Sequence, residues 1–440
     1  MRLHRDGGAE DLAGTRWRGR PWRSAWVGAV SLVSAAGLAF LILPMPDSTA
    51  ATVSSTPTFT WTGTASAAGQ ANWSDGTNWE GGTAPSAPGP VDLVFPKLKC
   101  KSGATCGNIS DNDLTGLTVT KLRLDIGVAK TYAASARDSY NIEGNGITID
   151  GLIAKTDLVK GDYYADTDSL ALPIALGGSQ KWSLDVGDGA NLDFSTISGT
   201  ANLTVEMSGG GFPVFEGNVN VGTLVFSGAG VVAPEQGVSL NSNGNPVDLT
   251  DTFFFALGAT TGPLTSTSSE VQLGNGGGTG PYGIEAVDGS ASFDSASTIS
   301  LWSLEPGTGS KPVAGAGYPQ LRASGSVSLG SAGLSTFAGC NQELGLVYTI
   351  VKAGGGLSGR FHGIKNGAII QAQADDEASC SAAGATPPYL RYRYNDKKGT
   401  VTATTVAPPP TGSARAHQSL VLRPMSTFTG IAGRPDARRT

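Results

Sequence analysis

Three histidines occur in the chain, and only His362, in "GRFHGIKNG", lies away from the two ends. A Ser-His-Asp triad would have to use it, and no G-x-S-x-G turn is present to supply a nucleophile. Its glycine-flanked setting reads as a surface turn. The densest grouping of acids with a cation is Lys181, Asp185, Asp188 and Asp193, in "KWSLDVGDGANLD". Paired carboxylates can do acid and base work on a glycosidic bond. Aspartates beside glycines also serve turns, because their side chains bond to nearby backbone N–H groups. The same holds for "DNDLTG", against which a calcium site is the alternative. No H-E-x-x-H, no D-x-D-x-D-G loop and no G-G-x-G-x-D repeat occurs. "GNGGGTGPYG" lacks the lysine of a phosphate loop. We therefore assign no catalytic, cofactor-binding or metal-ligating residue.

Four cysteines remain: Cys100, Cys106, Cys340 and Cys380. Four cysteines allow three pairings. Proximity favours Cys100–Cys106, closed by a Ser-Gly turn in "CKSGATC", and Cys340–Cys380, which flanks a stretch of strand pattern. Zinc is the competing use, but there is no C-x-x-C and no neighbouring histidine.

Tryptophan is the other residue whose placement carries chemistry. "ANWSDGTNW" sets Trp73 and Trp79 six residues apart, and Trp61 lies in the alternating run "TFTWTG". Exposed and coplanar, they would stack on sugars. The Asp-Gly between them favours a turn that puts the rings on neighbouring strands, where they pack together over the end of a core. The structural role is the expectation.

The elements that position these residues are short. Gly is very frequent (63 residues) and charged residues make up 15%. Runs such as "LTVTKLRLDI", "GITIDGLI", "ANLTVEM" and "GTLVFSG" have two or three alternating apolar residues and end at glycine. That pattern is all-β, without helices between strands. Ragged but persistent repetition from 172 to 232, without Trp/Cys core landmarks, favours a β-solenoid over β-sandwich modules. In a solenoid no coil buries its apolar face alone, so coils stack and the ends need caps. "YLRYRYNDKKGTVTATTV" predicts a hairpin around "NDKKG".

The ends differ from the middle. Residues 1–24 carry six Arg against three acids, and the uncharged run Ala25 to Leu43 follows. Pro44 and Pro46 stop a helix, and "DSTAA" offers a signal peptidase Ala50 or Ala51. This is the order of a secretory leader, with an uncleaved anchor as the alternative. Residues 407–440 carry five Arg against one Asp and begin "APPPTGSARA", a linker or disordered tail. Net charge is −6 overall, so residues 25–406 hold −13. An acidic body has no electrostatic footprint for nucleic acid. The expected organisation is a signal peptide over 1–50, a solenoid over 51–406 and a tail over 407–440. Within the solenoid, 58–98 form a Trp-rich cap module and 321–406 form closing strands.

Several stretches resemble bacterial secreted proteins with autotransporter-associated β-strand repeats. The head "TWTG…NWSDGTNWEGGTAPSAPGPVDLVF" is similar to the module that precedes the repeats in that family. "LPIALGGSQKWSLDVGDGANLDFSTISG" resembles an opening coil, "VGTLVFSGAG" the repeat, and "YPQLRASGSVSLGSAGLS" and "YTIVKAGGGLSGRFHGIKNGAII" closing coils. The resemblance spans about 58–405. It implies a right-handed parallel β-helix outside the cell or on its surface, and no particular ligand. No C-terminal membrane barrel is legible, so self-translocation is not expected. The function expected is a non-catalytic, adhesin-like or structural role towards an unidentified ligand such as a polysaccharide or cell envelope. The alternative is a β-helix that binds or cleaves carbohydrate.

Overall fold

The computed structural model describes residues 55–62, 71–96, 107–126, 139–156, 167–185, 191–209, 211–241, 243–274, 283–305, 311–375, 380 and 385–410. The expected leader, Cys100, Cys106, Asp188 and the tail beyond 410 lie outside the described residues.

From Ser139–Gly144 to Leu357–Ser358 short strands follow one another in a cycle of three. One cycle is Asn191–Phe194, Ile197–Ser198 and Leu203–Ser208. We call the positions of these strands face 1, face 2 and face 3. Each strand pairs in parallel with its counterpart one cycle earlier and one cycle later. On face 3 the register steps from Gln180 to Leu203, Leu224, Val247 and Leu264. The chain is a parallel β-solenoid with coils of uneven length. Among the described residues, nine successive coils carry three separate strands, from Ser139–Gly144 to Leu357–Ser358. In the coil before them, Thr118–Ile126 turns the corner alone. Its first two residues pair with face 2 and its later ones with face 3.

Alternation builds this arrangement. Every second side chain of a strand points inward, and most inward positions are apolar, with Thr261, Ser266 and Glu285 among the exceptions. On face 2 the inward column runs Ile147, Ile174, Ile197, Val219, Leu240, Thr261, Val287, Ala323, Ala353. On face 3 it runs Trp182, Val205, Phe226, Leu249, Ser266, Phe293. These side chains are buried, and each large one contributes about 1.5–3 kcal/mol by leaving water. Rings continue the packing between faces and between coils: Trp182 stacks on Phe194 at 5.4 Å, and Phe194 on Phe215 of the next coil at 5.4 Å.

The corners must satisfy backbone groups that leave the ladders. Asparagine does this between coils. Asn241, fully buried with φ 54°, accepts from the Val221 N–H at 2.8 Å and donates to the Gly222 and Pro246 carbonyls at 3.1 Å. Asn202 accepts from the Thr223 N–H at 2.8 Å. At Gly228 (φ 95°) a Cβ would strike the Met207 carbonyl oxygen of the preceding coil, so only glycine fits.

The two ends of the stack are built differently. Thr58–Thr60 pairs with Val91–Phe95 alone, and Trp61, Trp73, Trp79 and Phe95 fill the first coil. At the other end face 1 still adds Gln373–Ala374 in parallel to Gly333–Ala338, whereas beyond Val347–Ala353 the pairing turns antiparallel. Thr400–Val406 lies antiparallel on Val347–Ala353, Tyr389–Asn395 follows it, and Ile369–Gln371 comes last. The hairpin expected around "NDKKG" is therefore present, and it covers the edge of the last face 2 strand. Cys340 and Cys380 are disulfide-bonded with Cα atoms 5.7 Å apart, as expected from their proximity.

Candidate functional site

The residues singled out for chemistry do not converge. Lys181 and Asp185 point outward from face 3, whereas Asp193 belongs to a face 1 strand of the next coil. Lys181 Nζ lies 2.5 Å from Glu206 on the neighbouring strand, and Asp185 accepts from the Ser208 hydroxyl at 2.9 Å. Each is thus engaged across the ladder. His362 is exposed at a turn where its N–H donates to the Ala332 carbonyl at 2.8 Å. The three tryptophans are buried, which removes them as an exposed sugar platform.

A different set of residues is brought together by the closing strands, and sequence reading missed it. The inner side of the closing sheet is fastened to the stack. Leu390, Tyr392, Val401 and Ala403 are buried there. The Tyr392 hydroxyl lies 2.9 Å from the Thr336 hydroxyl, and burial raises its pKa. Tyr394 accepts from the Phe361 N–H at 3.3 Å and donates to the Ile364 carbonyl at 3.2 Å.

The opposite side of the same sheet faces outward, and alternation dictates what it shows. Tyr389, Arg391, Arg393 and Asn395 come from one strand and Thr400, Thr402 and Thr404 from the next. Register then aligns them in rows. Arg322 pairs with Lys352, Lys352 with Thr400, and Thr400 with Asn395. In the next row Thr349 pairs with Thr402, and Thr402 with Arg393. In the third, Val347 pairs with Thr404, and Thr404 with Arg391. Strands stand about 4.8 Å apart and same-side neighbours along a strand about 6.7 Å. Arg322, Lys352, Arg391 and Arg393 therefore share one outward face, with threonine hydroxyls between Lys352 and the two arginines of the closing strand.

None of these four cations is ion-paired among the described residues. Arg322 is steadied by donating from Nε and Nη2 to Gln320 Oε1 at 3.2 and 3.0 Å, bonds that leave its charge uncompensated. By contrast, Arg360 at the nearby turn is engaged with Asp396 at 2.8 Å and lies over the Tyr394 ring at 4.7 Å. The face is also an electrostatic exception. Residues 25–310 hold ten Lys and Arg against 27 Asp and Glu, while residues 311–406 hold nine against five. A single net charge for the body hid this reversal. The spacing signal was present in "YLRYRY", whose arginines share one side of a strand. Their alignment with Lys352 and Arg322 depends on register across distant segments.

Among the described residues no group of three or more His, Cys, Asp or Glu is placed to hold a metal ion, and no helix is long and apolar enough to cross a membrane. The chain matches no protein-family model, and neither a curated protein nor a solved structure is significantly similar to it.

Proposed function

We propose that this chain is an exported, non-catalytic β-solenoid that acts at the cell surface or in the extracellular medium in a structural or adhesin-like role. The observation that carries the reading is the outward closing sheet. It is a cationic face whose four cations have no ion-pair partner among the described residues, held by a buried inner side and a disulfide. A stack of coils joined by continuous ladders presents such a face without rearrangement, which favours binding by limiting the entropy lost on association. The basic and apolar order of residues 1–43 and the disulfide support export, since disulfides persist outside the reducing cytosol. The resemblance to autotransporter-associated repeat proteins supports the same assignment.

Cell fractionation with N-terminal sequencing of the released chain tests the proposal. A chain beginning near Ala51 in the medium or on the surface is expected, together with weaker attachment of cells that lack it. A full-length chain held in the cytosol, or release of new reducing ends from polysaccharide by the purified protein, would overturn it.

A further inference from the structure

We infer that the outward face of the closing sheet binds an acidic polysaccharide, a polymer of carboxylate-bearing sugars, along the rows that contain Arg322, Lys352, Arg391 and Arg393. The inference rests on the adhesin-like reading and names its ligand class.

Three features of the face select this occupant. The cations are separated by a strand spacing or more and interleaved with Thr349, Thr400, Thr402 and Thr404. A sugar chain with one carboxylate per residue matches such sparse charge, and its hydroxyls match the threonine hydroxyls between the cations. Three of the cations are arginines, whose planar guanidinium can hold a carboxylate through two parallel N–H bonds. Tyr389 stands at the end of the arginine strand, partly exposed and two residues from Arg391, where its ring can lie against a sugar and its hydroxyl can reach water.

Charge complementarity argues for a polyanion, and the rest of the molecule narrows which one. Duplex nucleic acid carries about one charge per 1.7 Å of axis and draws its affinity from many simultaneous phosphate contacts. Four cations beside coils whose residues 51–310 hold 26 acids against ten bases are a poor match for that field. A sugar polymer lying across the strands can stay within the cationic patch, away from the acidic coils.

Binding of the purified full chain to polygalacturonate provides the test, with dextran, a single-stranded oligonucleotide and anionic phospholipid vesicles as the other arms. Polygalacturonate should bind, dextran should not, and binding should weaken steeply as salt rises. The triple variant K352Q/R391Q/R393Q should bind about tenfold more weakly or worse and with a flatter salt dependence. Its unfolding transition should stay near that of the parent, because these side chains point outward. Should the triple variant fold poorly, Arg393→Gln alone, at an exposed position, should show the same direction. Lys181→Gln, on face 3, should bind as the parent does. No binding of polygalacturonate, equal binding by the folded variant, an equal loss in K181Q, or tighter binding of the oligonucleotide or vesicles would each overturn the inference. The assay uses purified protein in solution. Binding by a chain that cells never export would therefore sink the proposed location and leave the ligand assignment standing.

Discussion

The Trp79 indole N–H donates to the backbone carbonyl of Trp73 at 2.9 Å, and the two rings meet edge to face with centroids 6.0 Å apart. The Trp73 indole N–H donates in turn to the buried Ser110 hydroxyl of the next coil at 2.7 Å. Trp61 lies edge-on to Trp79 at 5.0 Å, and Phe95 touches all three tryptophans. Edge-to-face geometry places the positive rim of one ring on the negative face of another, worth about 0.5–1.5 kcal/mol beyond burial. The turn between them is fixed by Asp75, which accepts from the Thr77 N–H at 2.9 Å. The terminal coil would otherwise expose an apolar cross-section, and four large side chains fill it.

Replacing Trp79 with Ala is therefore expected to destabilise the protein by about 3–5 kcal/mol, as large-to-small changes in cores do. Trp79→Phe retains the ring and loses the indole N–H bond, and should cost less, by an amount that includes about 1 kcal/mol for the hydrogen bond. Denaturant unfolding of both variants checks the order. Equal, negligible effects would show that the cluster does not secure the first coil.

The Cys340–Cys380 bond closes a loop of 40 residues. Chain-entropy arithmetic for such a loop gives about 4 kcal/mol. The bond fastens a face 1 strand end to the segment leading into the closing sheet. The double variant C340S/C380S should lose about 2–4 kcal/mol, and protease should cut first within 375–390. Unfolding curves and mapping of the first cleavage products read this. Primary cleavage in the central coils instead would mean that the disulfide does not guard the closing sheet.

Strand identity was legible because alternation and glycine punctuation are local: "ANLTVEM" and "GTLVFSG" each carry the period of a half-buried strand. The hairpin in "YLRYRYNDKKGTVTATTV" was legible for the same reason. Coil number was not, since the spacing between paired residues varies, as the steps from Leu224 to Val247 and from Val247 to Leu264 show. Closing strands expected over 321–406 proved to be of two kinds: parallel ones, up to Leu357–Ser358 and again at Gln373–Ala374, and the antiparallel set Ile369–Gln371, Tyr389–Asn395 and Thr400–Val406. The cationic face was illegible because it is assembled from residues 322, 352, 391 and 393, whose adjacency exists only in register. The Lys181–Asp193 grouping failed for the converse reason. Closeness in sequence crosses a corner, and Asp193 ends on a different face from Lys181 and Asp185.

His362 is exposed, and no described contact of its imidazole holds the fold together. His362→Ala should leave the melting transition within about 0.5 kcal/mol of the parent, the range of surface substitutions, and polygalacturonate binding unchanged. Calorimetry and the binding assay together check it. A hydrolytic activity that vanished in this variant with the fold intact would convert the residue into a catalytic candidate.

Glu285 supplies the pH dependence. It lies inside face 2, 1% exposed, in register with Leu321 of the next coil. Neither carboxyl oxygen has a hydrogen-bond partner in good geometry. Desolvation therefore dominates the weaker help of the neighbouring Thr261 hydroxyl, and the pKa is raised well above the ordinary 4.5. The unfolded chain ionises this group from about that ordinary value, while the folded chain keeps the proton. Folding then takes up a proton, so stability falls as pH rises from the unfolded pKa and levels off only above the folded one. Glu270, also raised by burial though it accepts from Ser300 at 2.6 Å, adds a contribution of the same sign. Glu285→Gln should match the parent near pH 4, melt higher than the parent at pH 7 and show a flatter profile, with a remaining slope from Glu270. Melting temperatures of both proteins across pH 4–8 read the effect. Parallel profiles for parent and variant would mean that Glu285 is not held protonated within the stack.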